Sequence, residues 1–188
     1  MDKSRVEALV RDLLQEIGED PERPGLLETP RRVATALALL TSGYSADLPQ
    51  IINHARFEQQ DNNMIIVRDI EIYSLCEHHL LPFFGRCHIG YIPKRTALGV
   101  SKLARLANVF SRRLQMQERI TEQLANAIMQ VVEPEGVGVI IEAQHLCMMM
   151  RGVEKREATM TTSAMLGSFR SSHSTRTEFL SLIARPGV

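Results

Sequence analysis

Four consecutive residues, Cys76, Glu77, His78 and His79, put a thiol, a carboxylate and two imidazoles in a row inside the otherwise apolar stretch YSLCEHHLLPFFG. Such a set is costly to bury alone, because each polar group taken from water needs a hydrogen bond, a counter-charge or a metal. Far along the chain a second pair, His145 and Cys147, closes another apolar run, GVGVIIEAQHLCM. A fold that carries residues 76–79 to residues 145–147 gives both groups partners. That requirement constrains the chain more than any other feature.

Spacing suggests how the two halves meet. Cys76 and His79 share a face if the segment turns helically, whereas Cys76 and His78 share one if it runs extended. Pro82 and the end of a preceding strand favour a turn, which makes His79 the ligand. His145 and Cys147 are two apart, so on a strand they point to one face together with Val137, Val139, Ile141 and Ala143. Two thiolates and an imidazole form a soft donor set suited to zinc. Three protein ligands, Cys76, His79 and Cys147, leave a position for water, as in catalytic sites; a structural site takes four, and Cys87 or His88 is the candidate fourth. In the three-ligand reading His78 and His145 stand nearby as proton carriers. Any one of these residues alone is more often a buried thiol or a satisfied histidine; the combination points to a metal.

The periodicity places these groups in an α+β fold. Val6, Leu9, Val10, Leu13, Leu14 and Ile17 recur at helical spacing over residues 2–17. Thr29 as cap and Pro30 in the first turn predict a second helix to about Gly43, with a short third over 48–56. MIIVRDIEIYSL and GRCHIGYIP read as strands. Helices follow over 101–114 and 117–132, then strands in GVGVIIEAQHLCM and EATMTTSAML. Thr175 with Glu178 predicts a capping box for a final helix. The order β-β-α-α-β-β predicts a four-stranded antiparallel sheet with helices on one face. The expected division is an N-terminal helical segment, 1–60, and a sheet domain, 61–188.

Function classes narrow from charge and composition. The 188 residues carry a formal net charge of +0, so no global field steers the chain to nucleic acid or to a membrane surface. Any bound anion has to be held by a local cluster. Ser101, read as an N-cap, with Lys102 and Arg105 in the following turn, puts cations where the helix dipole disfavours them, which is intelligible if an anion sits there. Arg151, four residues past Cys147, adds another cation near the metal group. A solvated basic face is the plainer reading of Lys102 and Arg105. Gln117 and Glu118 open the next helix; Glu118 complements the helix N-terminus or, functionally, accepts from the two adjacent donors of guanine. No apolar run approaches a membrane span and the start MDKSRVEALV reads as a charged helix, so the expected compartment is the cytoplasm, with the three cysteines reduced.

Taken together, CEHHLLPFFG, HIGYIP, SKLARL, SRRLQMQERIT, HLCMMMRGV and TSAMLGSFR resemble GTP cyclohydrolase I, in family order and over nearly the whole chain. The resemblance implies the tunnelling fold (T-fold), whose sheets join into barrels that stack as a homodecamer with active sites between subunits. It implies one Zn2+ per subunit on Cys76, His79 and Cys147, with His78 and His145 as acid–base groups and Ser101 assisting at the ribose. It assigns Gln117 and Glu118 to the guanine, and Lys102, Arg105, Arg151 and, from a neighbouring subunit, Arg31 to the triphosphate side. The implied reaction converts GTP to 7,8-dihydroneopterin triphosphate and formate, the first step of folate and pterin synthesis. Two other readings remain: a pterin synthase or nitrile reductase of the same fold, and a catalytically silent oligomeric binding protein with structural zinc. The synthases hold zinc through histidines, against which the Cys76–Cys147 pair argues.

Overall fold

The computed structural model describes residues 1–52, 55–59 and 61–184. Two compact units result, Met1–Ser42 and Gly43–Val188. Residues 43 onward group with the sheet because Gly43 N–H donates to Arg112 O, Arg113 Nε donates back to Gly43 O, and Leu114 N–H donates to the Tyr44 hydroxyl.

The first unit holds α1 (Lys3–Glu16) and α2 (Thr29–Leu40). Asp2 caps α1 by accepting from Arg5 N–H. Helix α2 differs from expectation at both ends. Glu28 occupies the N-cap position and Thr29 is already helical, while a 3-10 turn over Ser42–Ser45 stops the helix short of Gly43. Arg31 on α2 is exposed and ion-paired to Glu28 at 2.6 Å.

The second unit begins with α3 (Leu48–Ile52), the expected short helix, of which positions 53 and 54 lie outside the described residues. It continues through β1 (Arg56–Glu58), β2 (Ile65–Cys76), β3 (Pro82–Ile92), β4 (Thr96–Leu98), α4 (Val100–Ser111), β5 (Leu114–Gln115), α5 (Gln117–Val132), β6 (Gly136–His145), α6 (Leu146–Met149), β7 (Met160–Gly167), α7 (Ser168–Ser171) and α8 (His173–Ile183). Strands β2, β3, β6 and β7 pair antiparallel in that order, with the two-residue β5 added in parallel outside β2. This is the α+β tunnelling-fold arrangement expected, a four-stranded antiparallel sheet with the two long helices on one face. Among the described residues no helix is long and apolar enough to cross a membrane.

Alternation builds the main core. Ile70, Ile72, Phe83, Cys87, Ile89, Val137, Val139 and Ile141 point to one side of the sheet, against Leu103, Leu106 and Phe110 of α4 and Ile120, Leu124 and Ile128 of α5. The residues between them face the other way. There a smaller cluster of Ile140, Phe169 and Phe179 seats α7 and α8 over one end of that face. Two glycines make the seat. A Cβ on Gly138 would stand 2.5 Å from the Phe169 ring and 2.9 Å from that of Phe179, and one on Gly90 would stand 2.7 Å from Phe179. Gly138→Ala is therefore expected to cost about 1–3 kcal/mol through overpacking against rigid rings. At about 2–4 °C per kcal/mol for a chain of this size, differential scanning calorimetry would register a lower Tm; an unchanged Tm would show the helix pair seated elsewhere.

Two further caps differ from the sequence reading. Gly99, not Ser101, is the N-cap of α4, so the Ser101 hydroxyl lies within the first turn and is exposed. Ser172, in extended backbone, caps α8 by accepting from Thr175 N–H, and Thr175 is the capped residue rather than the cap.

Candidate metal centre

Strand β2 ends at Cys76 and the chain reverses at once. Cys76 O accepts from Leu80 N–H at 2.8 Å and Cys76 N–H donates to Leu81 O at 2.9 Å. Leu80, with φ of 56°, takes the left-handed conformation that closes the turn. This compact reversal keeps His79 on the side of Cys76 and lets β3 start at Pro82. Strand β3 lies between β2 and β6, with Phe83 directly opposite His145, so the ends of β2 and β6 come to the same edge of the sheet.

The ligand atoms of Cys76, His79 and Cys147 lie within 4.8 Å of one another, and these three could hold a metal ion. Cys76 Sγ and His79 Nδ1 are 3.8 Å apart, close to the roughly 3.5–3.8 Å separating two donors of a tetrahedral zinc. His78 Nδ1 is also 3.8 Å from Cys76 Sγ, but His78 does not belong to the three-residue group. Cys147 reaches the group by a route the alternation did not predict. Strand β6 stops at His145, and Cys147 sits in the short helix α6, so the two residues do not share a strand face. The helical turn swings the thiol back over the end of the sheet.

Chemistry of the donors fits a cation. Burial and the neighbouring Cys76 thiol push the Cys147 thiol up, because two sulfur anions cannot share a half-dry space without a positive charge between them. The proposed fourth ligands stand elsewhere. Cys87 is fully buried in the main core, where burial pushes its thiol far up. His88 faces the other side of the sheet, and its Nδ1 accepts from Asp69 N–H at the bulge in β2. Neither joins the group, which leaves three protein ligands among the described residues.

Around this group the structure assembles a second layer. His145 stacks on Phe83 with ring centroids 4.5 Å apart and planes 4° from parallel. Its Nε2 lies 2.8 Å from Gln117 Oε1. Gln117 is 1% exposed and its Nε2 donates to Ile141 O and Met160 O, each at 2.9 Å, with Thr162 Oγ1 at 3.2 Å. With the amide nitrogen committed to acceptors, Oε1 is the acceptor towards His145, which therefore carries its proton on Nε2 and keeps Nδ1 for a ligand. Burial lowers the His145 pKa, opposed by the nearby Glu118 carboxylate. The resemblance gave Gln117 to the guanine, whereas its side chain contacts His145 and two strands. Nothing in the sequence marks it, since its partners are carbonyls of two strands brought in by the fold.

Glu118, one residue on, is exposed and lines a cavity of about 420 Å³ with Thr121, Glu122, Thr162, Ser163 and Arg170. Arg151 Nη1 lies 2.9 Å from His79 Nε2, so this arginine does stand at the metal group. The α4 cations divide. Arg105 is exposed, whereas Lys102 Nζ donates to Ile51 O at 2.6 Å and so satisfies the C-terminal end of α3. Here Lys102 serves the fold, and an anion would have to compete for it. A pair the sequence reading did not single out completes the layer: Arg119 on α5 grips Glu77 through both terminal nitrogens, and the guanidinium holds that carboxyl below its usual range.

A family model described as GTP cyclohydrolase I matches residues 6–184. A GTP cyclohydrolase 1 of Methylococcus capsulatus is 57% identical over 97% of this chain and 98% of its own length. One from Leptospira biflexa is 56% identical over 95% of this chain and 97% of its own.

Proposed function

The chain belongs to the GTP cyclohydrolase I family, a family of hydrolases, and from that membership we propose that it converts GTP to 7,8-dihydroneopterin triphosphate with release of formate, using one zinc ion per subunit. The observation that carries this reading is the convergence of Cys76, His79 and Cys147 with the imidazole of His145, held by Gln117, at the end of the sheet where α5 begins with Gln117 and Glu118. Zinc held by these three residues supplies a Lewis acid that makes water nucleophilic near neutral pH.

The chain's own residues do the rest. His145, kept neutral by burial and with Nδ1 unencumbered, accepts the proton of the water that adds to carbon 8 of the guanine, and returns it to the adjacent ring nitrogen as that bond breaks. His78, exposed and beside Cys76, exchanges protons with solvent in the second hydrolysis, which releases the carbon as formate. Glu118 accepts from the ring N–H and the exocyclic amine of guanine, a donor pair adenine lacks. Arg151, Arg105, Lys102 and, from another subunit, Arg31 grip the phosphates; for Lys102 this requires leaving Ile51 O. Ser101, with its hydroxyl not spent on a cap, assists the ribose rearrangement that precedes ring closure. Remote binding at the phosphates then holds the ring against the nucleophile.

The same reading makes the assembly a homodecamer of cytoplasmic chains with active sites between subunits. Its catalytic domain is the sheet domain expected over 61–188, taken with the residues from 43 onward that group with it, and the helical segment precedes that. Incubation of zinc-loaded protein with GTP tests it: formate is expected in step with GTP consumed, and a fluorescent pterin after mild oxidation. GTP recovered intact would overturn the reading and favour a silent binding protein.

A further inference from the structure

We propose that Arg119 is a positioning residue for the metal site, clamping the turn that carries Cys76 and His79 to helix α5; this rests on the function proposed above. Arg119 Nη1 and Nη2 donate to Glu77 Oε2 and Oε1 at 2.5 and 3.1 Å, a two-point contact that fixes direction as well as distance. Glu77 lies between the two ligands, and its own N–H donates to Gln115 O at 3.1 Å. Gln115 is itself buried and anchored, with Nε2 bonded to Phe110 O and to Gln123 Oε1 and only 2% of its surface exposed. The ligand turn is therefore held from below by backbone and from the side by a guanidinium.

The clamp's value lies in geometry rather than in stability. Both side chains are partly solvated, at 38% and 28% exposure, and ion pairs in such surroundings contribute little to folding. What the pair does fix is the orientation of the peptide at Glu77, from which His78 and His79 depart. It also fixes the turn against α5 at the position next to Glu118. Arg119 directly follows Glu118 on α5, so the clamp ties the ligand turn to the stretch of helix that carries the proposed base-reading carboxylate.

The test strips the purified full-length protein of metal and titrates Zn2+ against a chromophoric chelator, alongside kcat and KM for GTP. Arg119→Gln is expected to weaken zinc binding about 10–100-fold, as loss of an outer contact to a metal site does, and to lower kcat more than it raises KM. Arg119→Lys, which keeps the charge but loses the two-point grip, falls between. A charge exchange, Glu77→Arg with Arg119→Glu, recovers some of the zinc affinity. Zinc affinity and kcat both unchanged in a folded Arg119→Gln protein would overturn the proposal. Should that variant not fold, Glu77→Gln removes the same pair from the other side and carries the same expectation. Wild-type protein that neither binds zinc nor releases formate would instead overturn the functional reading on which the clamp depends.

Discussion

Cys147→Ser is expected to abolish formate release and to weaken zinc binding by more than about 100-fold, beyond the range that loss of a merely supporting contact produces. In the zinc reading the sulfur is one of three donors with Cys76 and His79, so its removal leaves two, too few to hold a catalytic zinc. The fold should survive. Cys147 is half-buried on the short α6 and only borders the main core, whose apolar residues stay in place. Metal analysis by inductively coupled plasma spectrometry, with circular dichroism as the folding control, separates the two effects. Stoichiometric zinc in the variant would remove Cys147 from the ligand set.

His145→Ala is expected to lower kcat by about 10²–10⁴, the usual worth of a placed proton carrier, with zinc content unchanged. The substitution also leaves Gln117 Oε1 without its partner in a buried setting, a cost of about 1–3 kcal/mol that calorimetry would report separately from catalysis. His145→Gln offers a polar atom to Gln117 without a titrating group, and should recover stability but not rate. Full turnover in either variant would show that the proton travels by another residue.

Much of this arrangement was legible in the sequence where one local rule governs. Helix α5 runs over Gln117–Val132 as its apolar spacing requires, and β2 and β3 follow their β-branched runs to within a few residues. The reversal after Cys76 was readable because Pro82 and the end of the β-branched run favour a turn there. Cys147 was harder. Apolar alternation carries smoothly through His145 and Leu146, and only tertiary context ends the strand there. The caps of α4 and α8 went to Gly99 and Ser172 because backbone geometry, rather than the best capping side chain nearby, decides where a helix begins. Gln117, Arg119 and Lys102 show the limit of such reading. Each finds its partners across the fold, at Ile141 and Met160, at Glu77, and at Ile51, and no spacing along one element announces those meetings.

The notch formed by Gly90 and Gly138 has a consequence for synthesis. Phe169 and Phe179, which fill it, leave the ribosome after every strand of the sheet. Until they arrive, Ile140 and its neighbours Ile66 and Met165 present a bare greasy patch on a nascent chain. Chaperone engagement should therefore be strongest before α7 and α8 dock and fall once their rings cover the patch.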